Sequence, residues 1–358
     1  MRSALALFLT AMVCVCAPAL TAGAAAQSGD LSFGLGYSTL KGPTGDVSLA
    51  LEELGGDKDI ATALTYRGGP QGEAGSWTVS RSPEMSTGRL TYRASARVQD
   101  WDYLPYESRG ADVSVMRDLP VGPRTQIGVG LFAEYDDITR IGSTSAILNR
   151  DIGAGGSAGI KLQSRFESGS FDPVLPQDSR LRIETNARLA GFGERKFVSL
   201  EIATRMETPL GERMALASRL VAGAVRGLDG DAVSVLHRAF QGEVAPRGFE
   251  YGGLGPRDLV TGEPLGGVNY YAGSLELRRQ VSDMPVVVAG FVDFGSSWSV
   301  PGASGPGFED GHAVRAAVGI SVEFTSDIGE LRIAFAEPIA RESHDRVQRV
   351  SVALATRF

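Results

Sequence analysis

Gln126-Ile127-Gly128-Val129-Gly130-Leu131-Phe132-Ala133-Glu134-Tyr135 decides the fold. Alternate positions carry Ile, Val, Leu, Ala and Tyr; the positions between them carry Gln, Gly, Gly, Phe and Glu. A helix would repeat its apolar residues every three or four positions, whereas a period of two gives a strand with one apolar and one polar face. The pattern recurs. Leu181, Ile183, Thr185, Ala187 and Leu189 oppose Arg182, Glu184, Asn186 and Arg188. Val198, Leu200, Ile202 and Met206 oppose Ser199, Glu201, Ala203 and Arg205, and Val314, Val318, Ile320, Val322 and Phe324 oppose Arg315, Gly319, Ser321 and Glu323.

About sixteen such segments follow one another, starting near Leu31, Asp46, Ile60, Gly75, Arg89, Ala111, Thr125, Ser157, Leu181, Phe197, Arg213, Tyr270, Val286, Ala313, Gly329 and Val347. Most reach about nine residues, the length a tilted strand needs to cross hydrocarbon. Strands of soluble sheets average about five or six. Lipid offers no partner to an open sheet edge, so the sheet must close on itself. The expected fold is all-β: a transmembrane antiparallel barrel of about sixteen strands.

The N-terminus points to export. Arg2 precedes an apolar stretch from Ala4 to Leu20, and Ala24-Ala25-Ala26 offers a small-residue cleavage site. The expected domains are a signal peptide over 1–26 and a barrel over 27–358. Cys14 and Cys16 both fall in the leader, which removes disulfide and thiol chemistry from the mature chain. The remainder holds no apolar run of the roughly eighteen residues that a spanning helix needs. A net charge of −7 argues against nucleic acid as a partner. His237, His312 and His344 lack metal-ligand spacing, so neither a metal nor another cofactor is expected. Gly153–Lys161 brushes against phosphate-loop patterns without the strand-then-helix context those glycines require. No enzymatic constellation emerges.

Connections alternate in length. Asp118–Pro123, Thr208–Glu212, Ser282–Asp283 and Thr325–Asp327 have the composition of tight turns, while Glu167–Asp178 is longer. One connection, Gly227 to Gly266, exceeds all others, and long loops in compact domains usually carry function. It contains Pro246-Arg247-Gly248-Phe249-Glu250-Tyr251-Gly252-Gly253-Leu254-Gly255-Pro256-Arg257-Asp258. The next strand begins after Gly266-Gly267 and carries Glu276; the thirteenth contains Phe291-Val292-Asp293-Phe294-Gly295.

In order and spacing, Arg247 to Phe358 resembles the BamA/TamA superfamily, which includes the bacterial surface antigen family. Its marks are the Arg-Gly-Phe tip, the Gly-Pro-Arg-Asp tail at Gly255, Pro256, Arg257 and Asp258, and the Phe-x-Asp-x-Gly strand. Leu31–Thr39 has the family look too. The resemblance implies an outer-membrane protein acting in protein insertion or translocation. It implies that the long loop turns back into the lumen and docks Arg247 on Asp293. Alternation independently turns Phe291, Asp293 and Gly295 inward if Val288, Val292 and Phe294 face lipid. Guanidinium and carboxylate can then meet at two points. Gly248 is suited to a tight turn at the tip, and Gly295 to leaving room for the loop. The resemblance also makes Leu31–Thr39 and Val347–Phe358 the two sides of a weak seam where a client strand can pair. The terminal Phe358 fits the strand that outer-membrane assembly machinery reads.

Family members carry periplasmic POTRA domains before the barrel, whereas here the first strand lies close behind the expected cleavage site. The expectation is therefore a barrel module alone. Its partners are outer-membrane lipid, unfolded outer-membrane or secreted clients and, open at this stage, a separate POTRA-bearing protein. A passive pore and a structural surface antigen without a client stand as alternatives.

Overall fold

The computed structural model describes residues 28–357 except 40, 54–56, 83–87, 101–103, 105, 143, 170–174, 231, 241–245 and 282–283. The expected signal peptide and Phe358 thus lie outside the described residues. Sixteen strands form a closed antiparallel barrel. In chain order they are β1 (Ser28–Ser38), β2 (Gly42–Glu52), β3 (Ile60–Gly69), β4 (Gly72–Arg81), β5 (Arg89–Asp100) and β6 (Tyr106–Pro120). Then come β7 (Thr125–Ile141), β8 (Gly153–Ser168), β9 (Arg180–Gly193), β10 (Phe197–Pro209) and β11 (Met214–Gly227). The last five are β12 (Asn269–Gln280), β13 (Val286–Trp298), β14 (Arg315–Ser326), β15 (Gly329–Ala340) and β16 (Val350–Arg357). Gly153–Lys161 opens β8, so its glycines belong to a barrel strand and precede no helix.

Alternation translates directly into orientation. On β7, Val129 and Leu131 are 47% and 62% exposed, while Phe132 and Asp136 on the other face are buried. Val288, Val292 and Phe294 likewise face outward on β13, leaving Ala289, Phe291 and Asp293 buried inside. The outer face is therefore an apolar band suited to hydrocarbon, and the charges line the lumen. One rim carries short turns, such as 210–213 and 327–328, and the other carries the long connections. In transmembrane barrels these are the periplasmic and extracellular rims respectively.

Ion pairs spread around the inner wall because small residues separate them. Glu207 on β10 accepts from Arg180 on β9 at 2.7 Å and lies 3.7 Å from Arg278 on β12, over the small Ala215 and Ala217 of β11. Arg278 in turn donates to Glu323 on β14, which also binds Arg332 on β15. Extracellular segments close over this wall. Leu104, Ile147, Leu148, Val235, Leu265 and Val300 come from four different connections and share one dry cluster with Tyr106 and Ile138. Burying such side chains contributes roughly 1.5–3 kcal/mol each, enough to order connections that have no sheet of their own.

The closure differs from expectation at one point. Val347 and Gln348 do not begin the last barrel strand; they pair with Gly248 and Phe249 of the long loop, and β16 starts at Val350. Backbone groups freed from the barrel ladder are satisfied by the loop that enters beneath them.

Candidate functional site

The long connection between β11 and β12 is not structureless. A 3-10 turn at Val235–His237 and short pairings of Gly248–Phe249 and Arg257–Asp258 give it shape. Its tip reaches the inward face of β13. Arg247 donates from Nε to Asp293 Oδ2 at 2.7 Å and from Nη2 to Asp293 Oδ1 at 2.8 Å. Its backbone N–H adds a third bond to Oδ2 at 2.9 Å. Nη2 also lies 2.9 Å from Ser274 Oγ and 2.7 Å from Glu276 Oε1, both on β12. Ser274 donates to Asp293 at 2.7 Å, and the guanidinium stacks 3.4 Å above the centre of the Phe291 ring. Planar fork, carboxylate and aromatic face are each matched to an arginine. Burial alone would lower the Arg247 guanidinium, but Asp293 and Glu276 outweigh it and hold it above its ordinary value.

The glycines around the tip are there for space. Gly248 has φ +98°, and a Cβ on it would meet the Cβ atoms of Ala317 and Ala336 at 3.2 and 3.4 Å. A Cβ on Gly295 would sit 3.1 Å from the Pro246 ring, so Gly295 makes room for the loop residue preceding the arginine. Gly255, at φ +99°, lies against Ser297 in the same way. Phe249 fills a cluster with Leu254, Phe291, Ala317, Ala334 and Ala336. The tip is held by charge on one side and by a buried ring on the other.

Arg257 behaves differently. It is buried, yet it donates to the backbone carbonyls of Gly262 and Gly252 at 2.8 and 2.9 Å. Burial pushes its guanidinium down to about 10. It braces the loop from within, where Arg247 joins the loop to the wall. Pro256 accepts from Leu265 N–H at 2.9 Å, and Asp258 accepts from the N–H groups of Val260 and Thr261 at 3.0 and 3.2 Å.

Three further anchors were not legible in the sequence. Arg238 donates to Asp151 at 2.7 Å and to the carbonyls of Val233 and Leu265. His237 Nε2 lies 2.9 Å from Glu134 Oε1, with its ring 4.3 Å from that of Phe197. Arg315 grips Asp345 at 3.1 and 3.3 Å, and both side chains are almost wholly buried. Each pair is separated by a stretch of chain with no periodicity to relate its members. Glu134, Asp136 and His237 bring ligand-type atoms within 4.8 Å of one another. Both carboxylates already bind guanidiniums, Arg188 and Arg97, so the cluster reads as an ion-pair lattice.

Among the described residues the barrel closes between β1 and β16 through five pairs, from Gly34↔Arg357 to Ser38↔Ala353, against eleven between β1 and β2. A cavity of about 310 Å³ inside the lumen joins the two features. Loop residues Pro246–Phe249 form one side, and Ser38, Thr39 and Ser351–Ala353 of the closure form another.

Comparison with known proteins bears on this geometry. A profile of the Omp85 superfamily domain matches residues 71–358. Outer membrane protein assembly factor BamA of Neorickettsia risticii (strain Illinois) is 29% identical over 262 residues, covering 71% of this chain. The chain spans about a third of that relative's length, 34%. BamA from Haemophilus ducreyi lacking POTRA domains 1–3 superposes with a TM-score of 0.79 at 18% identity, over 92% of this chain and 70% of that one. CdiB from Acinetobacter baumannii gives a TM-score of 0.59 at 13% identity, over 93% and 60% of the two chains. These structural likenesses concern the fold.

Proposed function

The chain belongs to the Omp85 superfamily, and from that premise we propose that it inserts or translocates proteins at the Gram-negative outer membrane, using the β1–β16 closure as its working edge. The short closure carries this reading. Only Gly34–Ser38 of β1 pair with β16 among the described residues, so the first half of β1 has free backbone groups on that side. Five pairs commit roughly half the hydrogen bonds of a full strand pairing, about one per residue pair. A client strand can add to β1 by the same backbone chemistry that closes the barrel. The docked loop supports the wall facing that edge, because Arg247 and the closure line a common cavity. Residues 27–358 act as one barrel module, with no catalytic step of their own. Clients are unfolded outer-membrane or secreted proteins, delivered by a POTRA-bearing periplasmic element.

The passive pore is the competing reading. The dry cluster formed by four extracellular connections favours a covered mouth over an open channel. Proteoliposomes containing the purified barrel should speed the folding of a urea-unfolded β-barrel client over empty liposomes. They should show little steady conductance in planar bilayers. A large, steady, ion-selective current with no acceleration of client folding would favour the pore and overturn the proposal.

A further inference from the structure

The lumen cavity carries a charge arrangement that loop docking does not use. Register places Arg182 on β9 opposite Arg205 on β10, and Arg205 opposite Arg219 on β11. Like charges directly opposite one another destabilise a sheet unless something neutralises them. Arg182 is neutralised by Glu167 and Arg205 by Glu207, each at 2.7 Å. Arg219 makes no hydrogen bond or ion pair among the described residues. The charged groups facing it are Asp293, Arg247, Glu276 and Arg332. Both of those carboxylates are already bound to Arg247, and Arg332 is held by Glu323. The cavity is lined by five arginines and only two glutamates, and Arg219 is the member left over.

We propose that this cavity is a binding site for a phosphate-type oxyanion, with Arg219 as its principal ligand and Arg205 and Arg247 beside it. Its volume, about 310 Å³, holds a phosphate group and several waters, since one water takes about 30 Å³. Guanidinium is the side chain whose planar donor fork fits phosphate oxygens best. Ser38 and Ser351–Ala353 place the cavity against the barrel closure, so the oxyanion can arrive free from the periplasm or carried on a lipid.

The test is calorimetric titration of the purified barrel, in uncharged detergent at constant ionic strength, with sodium pyrophosphate. Wild type binds saturably. Arg219→Gln weakens binding at least tenfold, while Arg349→Gln, an exposed arginine paired with Glu337, leaves it unchanged. Relief of the like-charge row means that Arg219→Gln melts no lower than wild type in anion-free buffer, whereas a merely structural arginine would lower the melting temperature. Lysophosphatidate added to the micelles distinguishes the source: competition with pyrophosphate assigns the site to a lipid phosphate, and binding without competition assigns it to a soluble oxyanion. Failure of wild type to bind, or equal binding by Arg219→Gln, overturns the proposal.

Discussion

Replacing Arg247 by alanine isolates the contribution of the docked tip. The substitution removes both guanidinium bonds to Asp293 and the contacts to Ser274 and Glu276. Asp293, whose side chain is 4% exposed, would keep only the Ser274 hydroxyl and the loop's backbone N–H. Breaking a buried pair from one side costs about 3–5 kcal/mol. Arg247 is 17% exposed to a wet lumen, so the lower end, about 3 kcal/mol, applies. At 1.36 kcal/mol per decade this raises the undocked population about 150-fold. Hydrogen exchange in detergent reads that population directly when reclosing outpaces exchange. The amides of Glu250 and Gly253, bonded to the Arg346 and Glu250 carbonyls, should lose about two decades of protection. Arg247→Lys retains charge but not the fork and should fall between wild type and alanine. Unchanged protection in a folded Arg247→Ala barrel would refute the reasoning, because the tip would then be held by Phe249 alone.

Three other outcomes are expected. Gly248→Ala should loosen the same amides by about 1–3 kcal/mol, since φ +98° is strained for any residue with a Cβ and Ala317 stands 3.2 Å away; exchange of the tip measures it. Arg315→Met strands Asp345, fully buried, at a cost of about 3–5 kcal/mol, and Arg315→Met with Asp345→Leu should recover part of the lost urea midpoint. Burial raises the Asp258 carboxyl, but hydrogen bonds from groups including the Val260 and Thr261 N–H outweigh it and hold it below its ordinary range. That stabilisation is full above the unfolded value of about 4 and disappears as pH falls through the lower folded value. Exchange of the 258–262 turn should therefore accelerate several-fold in acid, and Asp258→Asn should abolish this added acid sensitivity.

The barrel was legible because its rule is local. Alternation at Gln126–Tyr135 needs only neighbouring residues to be read, and each strand repeats the message. Placing Arg247 on Asp293 needed more, because 46 residues separate them and no period connects a loop to a strand. Resemblance supplied that pairing. Nothing in the sequence related Arg315 to Asp345 or His237 to Glu134, since each pair joins a wall residue to a loop residue whose position depends on the folded whole. The start of the last strand escapes the sequence for a similar reason: Val347 lies out of phase with Val350 and Val352, and the docked loop captures its backbone.

The claim at the centre is that the edge between β1 and β16 opens to work. Cysteines replacing Ser38 and Ala353, partners in the closing register, would cross-link that edge, and the chain's own two cysteines both lie at positions 14 and 16. Oxidised proteoliposomes should lose acceleration of client folding and regain it on reduction. Full activity in the oxidised, verified cross-linked barrel would contradict the account.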